Sequence, residues 1–220
     1  MGALLAILFA GCVNIDYQQV VDRDGGSVLT EKIDLSALIA MSQQYGSNES
    51  DFSTICINIT KGQSSIDCRY DDGIITVKKS LKASDGQYTF TKSSELPYTV
   101  YTLEVRKLPN IVDTKDLEGS GTAGDTSVDF KSTQAKTAAA TLKTAGAGMT
   151  YNVSMPGDIY SAEHGEIKGG QAHFDVLELM SNGDYIVVKS HELDLVVVGA
   201  AVLALLVVAG AAAFLVLKRK

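Results

Sequence analysis

The chain has no tryptophan, three prolines, three cysteines and three histidines among 220 residues, and its only run of three basic side chains is its last three positions. Each shortage closes off a class of function. Phosphate backbones are held by clustered Lys and Arg, yet the formal net charge is −7, or −10 once Lys218, Arg219 and Lys220 are set aside. Nucleic acid is therefore not an expected partner. Aromatic residues make up 7% of the chain, too few for a base-stacking platform. There is no Gly-x-Ser-x-Gly, His-Glu-x-x-His, phosphate loop or dinucleotide fingerprint. No catalytic residue, cofactor or metal site is assigned, and the chain is read as a non-enzyme.

The near misses have simpler explanations. Asp22-x-Asp24-Gly25 and Asp67 with Asp71-Asp72-Gly73 resemble fragments of calcium loops but lack the full set of acidic ligands, and they suit turns. His164, followed by Gly165, fits a turn with positive φ, and His173 one face of a strand. A zinc site is not expected, because no Cys-x-x-Cys or nearby His completes four ligands.

What the chain does have is two apolar segments at its ends. Residues 195–217 carry no charged or strongly polar side chain, and as a helix they match the roughly 30 Å of a bilayer core. Lys218, Arg219 and Lys220 follow directly and set the direction by the positive-inside tendency. The reading is a single-pass cell-membrane protein with the C-terminus cytoplasmic and the bulk of the chain extracellular. At the other end, an apolar run leads to Ala10-Gly11-Cys12, which resembles a lipobox with Cys12 as the lipid acceptor. Phe9 and the lack of a preceding Lys or Arg depart from that pattern, and a small uncleaved helix is the alternative. The expected divisions are thus 1–11 as signal peptide and lipobox, 12–194 as the exposed domain, 195–217 as the membrane helix and 218–220 as the basic stop.

Cysteine usage agrees with this placement: beside Cys12, Cys56 and Cys68 can close a short disulfide loop in an oxidising compartment, the alternative being two buried thiols. Asn48, Asn58 and Asn152 each begin an Asn-x-Ser/Thr sequon and are candidate glycosylation sites.

Between the ends, the dominant hydrophobic period is two. Val13, Ile15, Tyr17 and Val21 alternate with Asn14, Asp16 and Gln18, and Asp24-Gly25-Gly26 turns this strand back into Ser27–Ile33. Asp34 to Tyr45 suits a short helix capped by Asp34 or Ser36. Ile74–Lys78, Tyr88–Phe90 and Tyr98–Val105 read as a meander, Asp113–Gly124 as a loop, and Ala135–Leu142 as a second helix. Met149–Met155 is a strand ended by Pro156-Gly157. Ile159–Ala162 and Ala172–Val176 are expected to pair, with Asn182-Gly183 as a hairpin turn into Tyr185–Val188. The fold class is α+β: a mostly antiparallel, curved β-sheet with one or two helices on one face, followed by a C-terminal transmembrane helix.

Thr150-Tyr151-Asn152-Val153-Ser154-Met155-Pro156-Gly157, then Ala162-Glu163-His164-Gly165 and Gly170-Gln171-Ala172-His173-Phe174, resemble the LppM-type lipoprotein domain, with Met155, Pro156 and Gly157 as the motif. The order of features, from lipobox Cys to C-terminal membrane helix, matches across the chain. The resemblance implies a lipid-transfer-like fold, with a sheet wrapped on a helix, and binding of membrane lipid or glycolipid. In physical terms, Leu38, Ile39, Met41, Val100 and Val153 would line a cavity for an acyl chain, or else simply fill the core. The function expected is a non-catalytic, membrane-anchored surface lipoprotein that binds lipid or glycolipid near the membrane. The alternative is a structural or adhesion module that contacts envelope or surface-layer proteins.

Overall fold

The computed structural model describes residues 13–37, 39, 56–57, 59–60, 66–108 and 128–218, with side chains to residue 209. Cys12, Leu38, Met41, Asn48, Asn58 and the 113–124 segment lie outside the described residues.

The first hairpin forms where alternation placed it, with β1 (Asn14–Val21) paired antiparallel to β2 (Gly26–Asp34). Asp22 closes the turn by accepting from the amides of Asp24 at 2.9 Å and Gly26 at 2.8 Å, so its carboxylate is spent on backbone donors. A second hairpin, β3 (Ile66–Asp71) to β4 (Ile74–Lys82), turns on Asp72 and Gly73 alone, both at positive φ. Two left-handed residues are what a tight hairpin of this hand requires. Asp34 accepts from the Ser36 amide at 2.9 Å and its hydroxyl at 2.6 Å, starting a helical turn through Ile39. Those bonds hold the Asp34 carboxyl below its ordinary pKa.

The single sheet expected from the sequence is two sheets. One has seven strands in the order β3-β4-β2-β1-β7-β10-β9, adding β7 (Gly148–Ser154), β10 (Gln171–Asp175) and β9 (Glu166–Lys168). The other has four, β5-β6-β11-β8, from β5 (Thr89–Glu95), β6 (Tyr98–Val105), β11 (Ile186–Leu193) and β8 (Asp158–Glu163). The pairing is antiparallel except for β1 with β7, which is parallel. Inward side chains of both sheets, Leu29 and Val77 from one and Leu103 and Ile186 from the other, belong to a single buried core.

Three expectations are corrected by this division. The meander breaks after β4, because one 3-10 turn at Ala83–Asp85 carries the chain from the first sheet to the second. The segments 159–162 and 172–176 do not pair: β8 joins β11, setting Ile159 and Ala162 against the core, and β10 joins β7, burying Ala172 and Phe174. Asn182-Gly183 is not a hairpin turn. Val176–Asn182 forms a helix, and Gly183, at φ 76°, is its left-handed C-cap, with its amide bonded to the Leu179 carbonyl at 2.8 Å. The same conformational freedom that makes Asn-Gly a hairpin signal also serves helix termination.

Two short helices add to the core, beside Ile59, Tyr88, Phe130 and Met155 from the connecting segments. In α1 (Thr133–Thr144), Ser132 caps the N-terminus by accepting from the Ala135 amide at 3.0 Å, and Ala135 and Ala139, one turn apart, are fully buried. In α2 (Val176–Asn182), Asp175 accepts from the Glu178 amide at 3.0 Å, while Val176, Leu177, Leu179 and Met180 are buried. These helices pack on each other, and α2 packs on β7 and β10.

The last helix, α3 (Leu195–Lys218), begins directly after β11. Asp194 caps it, accepting from the Val196 amide at 3.0 Å. From 199 to 209 every side chain is exposed. The described side chains, 195–209, cover about 22 Å of helix, and among the described residues no helix is long and apolar enough to cross a membrane.

Candidate functional site

Strand alternation leaves the outer face of the seven-stranded sheet largely polar, and among the described residues two depressions open on it. The larger, of about 780 Å³, is lined by residues of β1, β7, β9 and β10 together with His164, Gly165 and Glu178. Its floor is a chain of side-chain hydrogen bonds crossing three strands. The Thr150 hydroxyl donates to Asp16 Oδ1 at 2.6 Å, and Asn152 Nδ2 donates to the same oxygen at 2.6 Å. His173 Nδ1 meets Asn152 Oδ1 at 2.5 Å, and His173 Nε2 lies 3.2 Å from the Lys168 carbonyl oxygen. With Asn152 Oδ1 as acceptor, Nδ1 is the donor, which orients the imidazole. Gln171 Nε2 continues the row to Ser154 Oγ at 2.9 Å.

The lining of this groove is acidic: Asp16, Glu166, Asp175 and Glu178 stand beside His164 and His173. An ion pair with Lys168 holds Glu166 below its ordinary pKa, so it carries its charge at neutral pH. The smaller depression, about 390 Å³, lies across the same face and is bounded by Lys32, Arg69 and Lys78 as well as Asp67 and Asp71. The outer face is thus basic toward β3 and acidic toward β9. The larger depression presents side-chain amides, imidazoles and carboxylates and the smaller one carboxylates and cations, sets of groups suited to polyhydroxy or charged headgroups more than to a hydrocarbon chain. Among the described residues no group of three or more His, Cys, Asp or Glu side chains could hold a metal ion.

The opposite, inward face of the same sheet contains polar groups of a different kind. Tyr17 and Glu31 are directly paired across β1 and β2, and both are buried. Burial drives the Glu31 carboxyl up to about 7, with a hydrogen bond from Tyr17 opposing the shift. Burial likewise raises Tyr17, with Glu31 as the next cause. Next along β1, fully buried Gln19 donates to Ser27 Oγ at 3.0 Å and accepts from the Tyr151 hydroxyl at 2.8 Å, so both ends of its amide are satisfied.

The residues singled out from sequence are dispersed. Val153 is a fully buried member of the shared core. Val100 lies opposite His191 on the second sheet, and Ile39 stands against the Gly73 turn. Neither depression is lined by any of these three. Cys56 and Cys68 form a disulfide, Cα to Cα 5.3 Å, that ties a helical turn to β3. Asn152, flagged as a sequon, sits in a central strand with its amide engaged on both sides. Gly157, at φ 70°, follows β7 and abuts the backbone of His191, so any side chain there would collide with β11. Asp16 and His173 were legible only as outward strand positions, because the parallel pairing that joins Asp16 to Thr150 spans 134 residues of chain.

No protein-family pattern matches the chain, and no characterised protein matches its sequence. Among solved structures, the NMR structure of the folded domain of LppM from Mycobacterium tuberculosis superimposes with a TM-score of 0.34 at 8% identity, covering 86% of this chain and 94% of that one. A superposition that loose carries no argument here.

Proposed function

We propose that this chain is a membrane-anchored cell-surface lipoprotein of the LppM type whose exposed domain binds lipid or glycolipid near the membrane and catalyses no reaction. The observation that carries the anchoring is α3: residues 195–217 of its sequence are apolar, and every side chain from 199 to 209 is exposed. A helix of that kind is stable only inside a protein core or in lipid. In this reading residues 195–217 span the membrane, Lys218, Arg219 and Lys220 stay in the cytoplasm, Cys12 accepts lipid, and used sequons face outward. The Cys56–Cys68 disulfide fits an oxidising compartment.

For the ligand, the acidic groove along β1, β7 and β10 is the better receptor than an acyl cavity, because its donors and acceptors match sugar hydroxyls. The test is native mass spectrometry of the full chain released from detergent micelles after incubation with membrane glycolipid. A one-to-one adduct that is lost in Asp16→Ala and His173→Ala supports the reading; an unadducted mass under the same conditions removes it. The second reading, an adhesion module for envelope proteins, draws on the largely exposed strand β5, whose outer backbone edge pairs with no strand among the described residues and can accept another.

A further inference from the structure

We infer that the end of the domain from which α3 departs is itself a membrane-contact surface, seated in the headgroup region of the bilayer that receives the helix. This rests on the reading of α3 as a membrane span and adds to it a second, separable point of contact. The Asp194 amide, at the helix cap, donates to the Pro97 carbonyl at 2.9 Å, so the β5–β6 hairpin tip is fastened to the point where the helix begins. That tip carries Leu96, 72% exposed. Around it stand Tyr98 at 40%, Leu193 at 42% and Tyr160 at 48% exposure. Tyr98 and Leu193 are direct partners in the β6–β11 register. The rings of Tyr98 and Tyr160 flank His191 at 4.8 and 5.1 Å between centroids, making one aromatic row.

Large apolar residues grouped at one end of a domain need an occupant. Here the chain itself supplies it, since the patch is continuous with a helix whose apolar side chains begin one residue past Asp194. Tyrosine at such a position has its ring among acyl carbons and its hydroxyl among headgroups, the arrangement that enriches aromatics at membrane interfaces. Glu95 precedes Leu96 in the chain, Asp158 pairs with His191 and Asp194 is bonded to Pro97, while Arg23 at this end is paired with Glu192, so a zwitterionic surface suits the patch better than an anionic one.

The absence of tryptophan makes the test direct, because one introduced Trp is the only indole in the protein. Full-length chain carrying Cys12→Ser, so that α3 alone attaches it, is reconstituted in phosphatidylcholine vesicles with brominated acyl chains. Three variants then report separately: Val202→Trp inside the helix, Tyr98→Trp or Tyr160→Trp in the patch, and Ile74→Trp at the opposite end of β2 and β4. The expected result is strong quenching at 202, shallow quenching with a blue shift at 98 and 160, and none at 74. Quenching at 202 with none at 98 and 160 overturns the contact surface while leaving the anchor. No quenching at 202 overturns the anchor and the surface together, and equal quenching at 74 and 98 overturns a localised patch.

Discussion

Tyr17 and Glu31 face each other across the β1–β2 register with both side chains buried, and the carboxyl of Glu31 is held protonated up to about pH 7. In the unfolded chain it ionises around its ordinary value of 4.5. Between those values the unfolded state binds fewer protons than the folded one, so stability falls as pH rises through the window and levels off above it. The loss is on the order of 3 kcal/mol. Glu31→Gln should flatten this part of the profile and be the more stable protein above pH 7. Urea unfolding at pH 5 and pH 8 checks it, and equal pH dependence in both proteins would contradict it.

Gly157 occupies a left-handed backbone position against the His191 carbonyl, where glycine alone fits. Gly157→Ala should cost about 2 kcal/mol or more, from backbone strain and from the forced displacement of β11. A urea midpoint equal to that of the wild type would show that β11 yields freely.

The disulfide between Cys56 and Cys68 closes a short loop across a sequence separation of 12. Reduction, or the double substitution to alanine, should lower stability by about 3 kcal/mol. The same denaturation curve with and without reductant reads it. Coincident curves, with the mass confirming two added hydrogens, would mean that the bridge has no part in stability.

How much of this was legible in the sequence depended on the range of the interaction. The β1–β2 hairpin, the turn at Asp71-Asp72-Gly73, a helix over 135–142 and the positive φ of His164 all follow from neighbouring residues, whereas the Ser132 cap that starts this helix at Thr133 was not read from them. The partition into two sheets does not, since β4 and β5, or β8 and β9, follow one another in the chain yet pair in different sheets. Asn182-Gly183 was legible as a left-handed position but not as a helix cap, because both structures ask the same of glycine. The groove was hidden for a related reason: Asp16, Asn152 and His173 are ordinary outward strand residues until parallel pairing of β1 with β7 gathers them.

The fold also constrains how two anchors can be used together. Arg23, in the turn after β1, pairs with Glu192 close to the start of α3, while Asn14 is at the far end of β1, about 25 Å away. Two residues reach back from Asn14 to Cys12, at most about 7 Å. A lipid on Cys12 therefore enters the same bilayer only if β1 lies along the membrane surface, which also brings the acidic groove near the headgroups. Ile74→Trp, near Asn14's end of the sheet, should be quenched by brominated lipid in the acylated chain and not in Cys12→Ser. Equal fluorescence in the two would mean that Cys12 does not anchor the domain.

The central claim is that α3 holds the protein in a membrane, and alkaline carbonate extraction of membranes expressing the Cys12→Ser chain tests it most directly. The account predicts that this protein stays in the pellet and that the same chain ended after Asp194 is released to the supernatant. Release of the full chain along with the truncated one would contradict it.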